Sequence, residues 1–119
     1  MVVEPLNYQK IEDGIRGCLN RQEILTGDYA TTGDNLANAE TDYKIGIAKA
    51  RLEFRYENSA IKVTDQRTDD EATKATEELR LEYELAKSKH ESTKQALYTC
   101  RERLNALRSL IMAYREAGG

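Results

Sequence analysis

The apolar residues in the second half of the chain recur at alternating intervals of four and three residues. This spacing is typical of a helix that packs lengthwise against another helix. It predicts one long helix over about residues 69–116, preceded by a capping box from Thr68 to Glu71. The predicted seam of this helix consists of Ala72, Thr76, Leu79, Tyr83, Ala86, His90, Thr93, Leu97, Cys100, Leu104, Leu107, Ile111 and Tyr114.

Two shorter helices are predicted before the long one. Apolar residues at mostly helical intervals predict a helix over about residues 6–25, and a second pattern predicts a helix over about residues 34–58. Turn-forming residues predict a hinge at 26–33, and mixed polar and β-branched residues predict a connection at 59–67. The predicted seam of the second helix consists of Leu36, Tyr43, Ile47, Ala50 and Phe54.

These elements predict an all-α fold for the 119 residues: a long coiled-coil helical hairpin with an additional N-terminal helix, in a single domain over residues 1–119. The helix over 34–58 is only about half as long as the helix over 69–116. The first helix therefore either extends the second and covers the C-terminal half of the long helix, or that half pairs with another copy.

We expect a homo-oligomer, because an uncovered C-terminal half would expose an apolar patch of a kind that monomers avoid. The first helix is expected to help build this oligomer. The seam residues expected to meet the partner are Leu97, Cys100, Leu104, Leu107, Ile111 and Tyr114.

Charge is distributed unevenly although the formal net charge is only −3. Residues 69–84 carry seven acids and two bases, whereas residues 85–119 carry seven bases and three acids. Acids near the start of a helix and bases near its end complement the helix dipole, which explains part of this distribution. The part of the charge distribution that the helix dipole does not explain indicates a charged partner.

Two interaction surfaces of opposite sign are predicted from this distribution. Bases in the C-terminal half are candidate contacts for nucleic-acid phosphates, with Tyr98 or Tyr114 as a stacking face. These bases are Lys94, Arg101, Arg103, Arg108 and Arg115. Alternatively, an acidic patch imitates a phosphate backbone inside the nucleic-acid channel of another protein; its residues are Glu77, Glu78, Glu82 and Glu84.

No catalytic or metal-binding pattern is found in the sequence. His90 is the single histidine and falls on the seam, and neither Cys18 nor Cys100 has a ligand spacing. We therefore expect a protein without enzymatic activity, cofactor or small-molecule substrate. Two cysteines, and no apolar run near the roughly 20 residues of a membrane span, predict a cytoplasmic chain without a membrane partner.

Three segments resemble a family of small helical proteins of tailed phages. They are N-Y-x-x-I-E-D-G-I-R at 7–16, D-Y-K-I-x-x-A-K-A-R-L at 42–52, and A-L-Y-x-x-R-x-R-L-x-A-L-R-S-L with R-E-A-G-G at 96–119. The resemblance implies a helical hairpin protein made in the cytoplasm of the infected bacterium, sometimes encoded near replication or recombination genes. It implies no active-site residue.

The function expected from these observations is that of a non-enzymatic phage accessory protein in DNA replication or recombination. It would contact a protein partner and single-stranded DNA through the basic C-terminal half. One alternative is an inhibitor of a bacterial defence or nuclease protein, which would use the acidic patch or the coil. Another alternative is a structural coiled-coil protein of virion assembly.

Overall fold

The structure, a computed structural model, describes residues 7–118. These residues form three helices and no strand: α1 (Tyr8–Glu57), α2 (Asp65–Ala75) and α3 (Glu77–Glu116). The predicted all-α helical hairpin is confirmed. The described residues divide into two compact units, which we call the terminal unit (residues 7–30 and 92–118) and the turn unit (residues 31–91).

Helix α1 begins after a polar cap and has no hinge. The Asn7 side chain accepts a hydrogen bond from the backbone N–H of Lys10 at 2.8 Å, which satisfies a donor in the first turn. The helix continues through residues 26–33, so the predicted hinge is wrong. Leu25 is buried and Tyr29 packs against the core, and this packing outweighs the weak helix propensity of the glycines and threonines.

The predicted long helix starts four residues earlier than expected. Thr64 caps α2, because its hydroxyl accepts a hydrogen bond from the backbone N–H of Arg67 at 3.2 Å. Thr68, the predicted cap, lies instead inside α2, fully buried, and its hydroxyl donates to the carbonyl of Thr64 at 3.0 Å. The capping-box prediction is therefore wrong, because the helix is capped by Thr64 and not by Thr68.

A one-residue break at Thr76 separates α2 from α3. Thr76 has φ −109° and ψ 17°, outside the helical region, and its buried hydroxyl donates to the carbonyl of Ala72 at 2.7 Å. The predicted helix over 69–116 thus consists of α2 and α3 together.

The core of the terminal unit lies between antiparallel parts of α1 and α3. It contains Cys18, Leu25, Leu97, Cys100 and Leu104, and Ile15, Tyr29, Ala96 and Leu107 pack against it. The helices approach closely at its centre, where the Cys100 thiol donates to the carbonyl of Cys18 at 3.3 Å.

This core occupies the seam that was expected to bind another copy. Of the six predicted contact residues, Leu97, Cys100, Leu104 and Ile111 are buried and the other two are half-buried. The N-terminal part of α1 covers them, which is the first of the two geometries considered from the sequence. Self-association stays a prediction. It was based on an uncovered C-terminal half of the long helix, and the structure shows that α1 covers this half.

The turn unit also contains antiparallel parts of α1 and the chain that follows it. The predicted seam residues of α1 are all half-buried. The Tyr43 and Tyr83 rings lie with centroids 5.8 Å apart, and Arg51 forms an ion pair with Asp69 at 2.9 Å. These contacts help to hold α1 against the following chain, although the apolar seam between them is thin.

Substitution of two glycines in α1 tests this packing. A Cβ on Gly46 would collide with a methyl group of Leu79, whereas a Cβ on Gly27 would meet nothing within 4 Å. We expect Gly27→Ala to stabilise the fold by about 0.5–1 kcal/mol, because glycine in a helix costs conformational entropy. Gly46→Ala should retain little of this gain, because the methyl group of Leu79 must move to make room for the added Cβ. Urea denaturation measures both, and equal stabilisation by the two variants would contradict the packing.

Candidate nucleic-acid interface

Four of the five candidate cations form one row on α3. Lys94, Arg101, Arg108 and Arg115 recur at every seventh residue, which places them along one side of the helix next to the seam. At about 1.5 Å per residue, neighbours in this row are roughly 10 Å apart along the helix. The fifth, Arg103, lies about 200° around the helix from Arg101 and faces the other side of the seam.

A groove beside this row combines cations with aromatic side chains. We call it the Tyr98 groove; it has a volume of about 450 Å³ and is lined by Thr26, Tyr29, Lys94, Gln95, Leu97, Tyr98 and Arg101. Tyr98 lies one turn from each of the two cations, and its side chain is 59% exposed. Lys94 and Arg101 are exposed, and neither forms an ion pair within residues 7–118.

A neighbouring carboxylate further favours the protonated form of the Tyr98 hydroxyl. Hydrogen bonding with Glu102, and then the negative charge of Glu102, raise the pKa of Tyr98 above its ordinary value of 10.0. A phenol is uncharged at neutral pH, so the Tyr98 ring itself adds no negative charge to the groove, whereas the Glu102 carboxylate beside it does.

Arg115 has an intramolecular role at the end of the terminal unit. Its guanidinium donates to the Tyr8 hydroxyl at 2.8 Å and lies 5.7 Å from the centre of the Tyr8 ring. The hydrogen bond with Tyr8 raises the pKa of Arg115 above its ordinary value. The Tyr114 ring lies 5.9 Å from that of Tyr8, so Tyr98 is the better placed of the two predicted stacking residues.

Arg103 lines a second groove of the terminal unit, on the opposite side of the seam. This groove, which we call the Gly17 groove, has a volume of about 780 Å³. Lys10, Arg21 and Arg103 supply its cations, and Gly14 and Gly17 line it on α1. Gly14 lies against Leu107, and Gly17 faces open space. This groove was not predicted from the sequence, because two of its cations lie in the N-terminal part of the chain.

The predicted acidic patch lies in the turn unit and covers two sides of α3. Its four glutamates are exposed, and none forms an ion pair in the described part of the chain. Glu77 and Glu84 share one side, since they are seven residues apart, and Glu78 and Glu82 share another. Leu81 and Leu85, which are 55% and 56% exposed, lie between these sides and were not singled out from the sequence.

His90 lies on the seam of the turn unit. Its Nδ1 is 2.9 Å from the hydroxyl of Thr32, and its ring lies 3.3 Å from the position that a Cβ on Gly33 would occupy. A larger residue at 33 would therefore displace the imidazole. Among the described residues, no group of three or more His, Cys, Asp or Glu side chains is placed to hold a metal ion.

Comparisons with known proteins add no relative: no family model, curated protein or solved structure matches the chain. Within residues 7–118, no helix combines the length and the apolar character needed to cross a membrane.

Replacement of Glu102 tests the environment of Tyr98. Because the Glu102 carboxylate favours the neutral phenol, the Tyr98 ring should ionise at a higher pH than a free tyrosine, and Glu102→Gln should lower that pH. NMR titration of ring-labelled tyrosine measures this, with Tyr98→Phe to assign the signal. An unchanged titration in Glu102→Gln would contradict the contact.

Proposed function

We propose that this chain is a non-enzymatic binding protein that contacts single-stranded nucleic acid through the Tyr98 groove of the terminal unit. The observation that carries the proposal is the arrangement of Lys94 and Arg101 on either side of the exposed Tyr98 ring. Cations that track a phosphate backbone, together with an aromatic ring on which a base stacks, are the shared features of single-strand binding sites.

Single strands suit this groove better than duplexes. Bases of a duplex are already stacked on one another, so they cannot lie against the ring of Tyr98. A duplex would gain phosphate contacts from Lys94, Arg101 and Arg108 but no stacking on Tyr98.

The resemblance to small tailed-phage proteins supports a biological setting for this binding. We propose an accessory role in phage DNA replication or recombination, where single strands are exposed and must be held by proteins. A protein partner is part of the same proposal, since accessory factors act by bringing other proteins to the strand. Both parts rest on the resemblance and on the charge of the groove.

Charge reversal in the Tyr98 groove should weaken the binding of single strands and make that binding less dependent on salt concentration. For single strands, each phosphate contact contributes about −0.7 to the slope of log K against log salt concentration. Lys94→Glu with Arg101→Glu should therefore reduce the slope by about 1.4 and lower the affinity at low salt. Fluorescence anisotropy with a labelled single-stranded oligonucleotide measures both quantities.

The matched control reverses two exposed lysines of the turn unit, Lys49 and Lys62, which have no ion pair in the described chain. Lys49→Glu with Lys62→Glu changes the net charge equally and should leave the slope unchanged. No binding by the unaltered protein at low salt would refute the proposal. Equal weakening by both double variants would show that only net charge matters and would refute the role of the groove.

A second candidate function is binding to a protein through the turn unit, as in an inhibitor of a defence or nuclease protein. It is favoured by the two exposed leucines, Leu81 and Leu85, which lie among four glutamates without ion pairs. An exposed apolar centre with a charged rim is a common arrangement of protein interfaces.

This candidate predicts that a host protein is captured from bacterial lysate and is lost after replacement of the glutamates by lysine. Leu81→Ser with Leu85→Ser should have the same effect, because the apolar contact is removed. The groove variant Lys94→Glu with Arg101→Glu is the control and should retain the captured protein. Identification of a nuclease or defence complex by mass spectrometry would support this function, and capture that is unaffected by either set of replacements would contradict it.

A further inference from the structure

The charged residues that line the Gly17 groove are all cations. Lys10, Arg21 and Arg103 contribute to its walls, and no acidic side chain of the described residues lines it. The carboxylate of Asp13, on the same part of α1, accepts a hydrogen bond from Gln9 at 2.9 Å and lies 3.9 Å from Arg16. The groove therefore presents a local positive field that a polyanion would complement.

The Gly17 groove and the Tyr98 groove lie on opposite sides of the same two-helix seam. On α3, Arg101 lines one groove and Arg103 the other, because two residues correspond to about 200° of rotation. Between the grooves lies the core, in which the thiols of Cys18 and Cys100 are buried. A ligand in one groove is thus separated from a ligand in the other by the helix pair itself.

The lining of the Gly17 groove suits a phosphate backbone better than a base. None of its lining residues is aromatic, so it offers no stacking face. Gly14 and Gly17 lie one turn apart on α1, and a Cβ on Gly17 would meet nothing within 4 Å. A ligand can therefore approach the helix closely, with its phosphates near the three cations.

We propose that the Gly17 groove binds a second nucleic-acid strand by its phosphates, so that one copy of the protein bridges two strands. This inference rests on the proposed function of the Tyr98 groove. The two grooves lie on opposite faces of the helix pair, so two strands held in them would be separated by the thickness of one helix, roughly 10 Å. The cations between them reduce the repulsion of their phosphates, which favours encounters between complementary strands.

The test uses a substitution that adds charge without disturbing the packing. Gly17→Glu places a carboxylate in the groove, where there is space for a side chain, and Gly17→Gln is the uncharged control of the same size. Two non-complementary single-stranded oligonucleotides, one with a donor and one with an acceptor dye, report bridging by energy transfer. Anisotropy titration reports the number of strands bound for each copy, and light scattering reports the mass of the complex.

The unaltered protein and Gly17→Gln should bind two strands for each copy and give energy transfer that disappears when protein is in excess. Gly17→Glu should bind one strand with nearly unchanged affinity, with the second binding step weakened at least about tenfold and energy transfer lost. The affinity for the first strand depends on the Tyr98 groove and serves as the internal measure of folding.

Three results would overturn the inference, and they are distinguishable from one another. If the unaltered protein binds one strand for each copy and gives no energy transfer, bridging is refuted and the proposed function stays intact. Energy transfer that persists in Gly17→Glu would place the second strand elsewhere, for example on another copy in an oligomer detected by its mass. No binding of either oligonucleotide would refute the proposed function and this inference together.

Discussion

The packing of α1 against α3 in the terminal unit is the interaction on which the remaining features depend. Leu97, Cys100 and Leu104 are buried because Cys18 and Leu25 of α1 pack against them. The core is thin, so each of these contacts accounts for much of the apolar burial that offsets chain entropy. Once the seam is filled in this way, only the side chains that flank it remain available to partners.

The filled seam between α1 and α3 also determines at which positions charged side chains can lie. In a two-helix pair the flanking positions are partly exposed, and in the terminal unit they carry the cations of both grooves. The described residues of the terminal unit include eight bases and six acids, whereas the turn unit includes ten bases and fourteen acids. The net charge of the chain is small because an excess of bases in the terminal unit partly offsets an excess of acids in the turn unit. The partner of each unit is therefore best considered separately.

Much of the fold could be predicted from spacing, because the interval of four and three residues directly reports which side of a helix is covered. All thirteen predicted seam residues from Ala72 to Tyr114 are buried or half-buried. The hinge at 26–33 could not be excluded, since local propensity does not include the tertiary contacts of Leu25 and Tyr29. The cap was misplaced because Thr64 and Thr68 are both plausible caps, and only burial distinguishes them.

The candidate site was predicted in part. The five cations were named from composition, but their division between two grooves depends on position around the helix. The seven-residue interval that links Lys94 to Arg115 was already visible in the sequence, and Lys87 and Arg80 continue it. The contribution of Lys10 and Arg21 was not predictable, because it requires knowing that the N-terminal part of α1 covers α3.

Photo-cross-linking to a single strand tests the central claim most directly. An oligonucleotide that contains 5-iodouracil would be irradiated with the protein at low and high salt, and the attached peptide identified by mass spectrometry. We expect attachment at Tyr98, with Tyr29 as the neighbouring aromatic residue of the groove, and loss of attachment at high salt. Attachment confined to tyrosines of the turn unit, or attachment independent of salt, would contradict the claim.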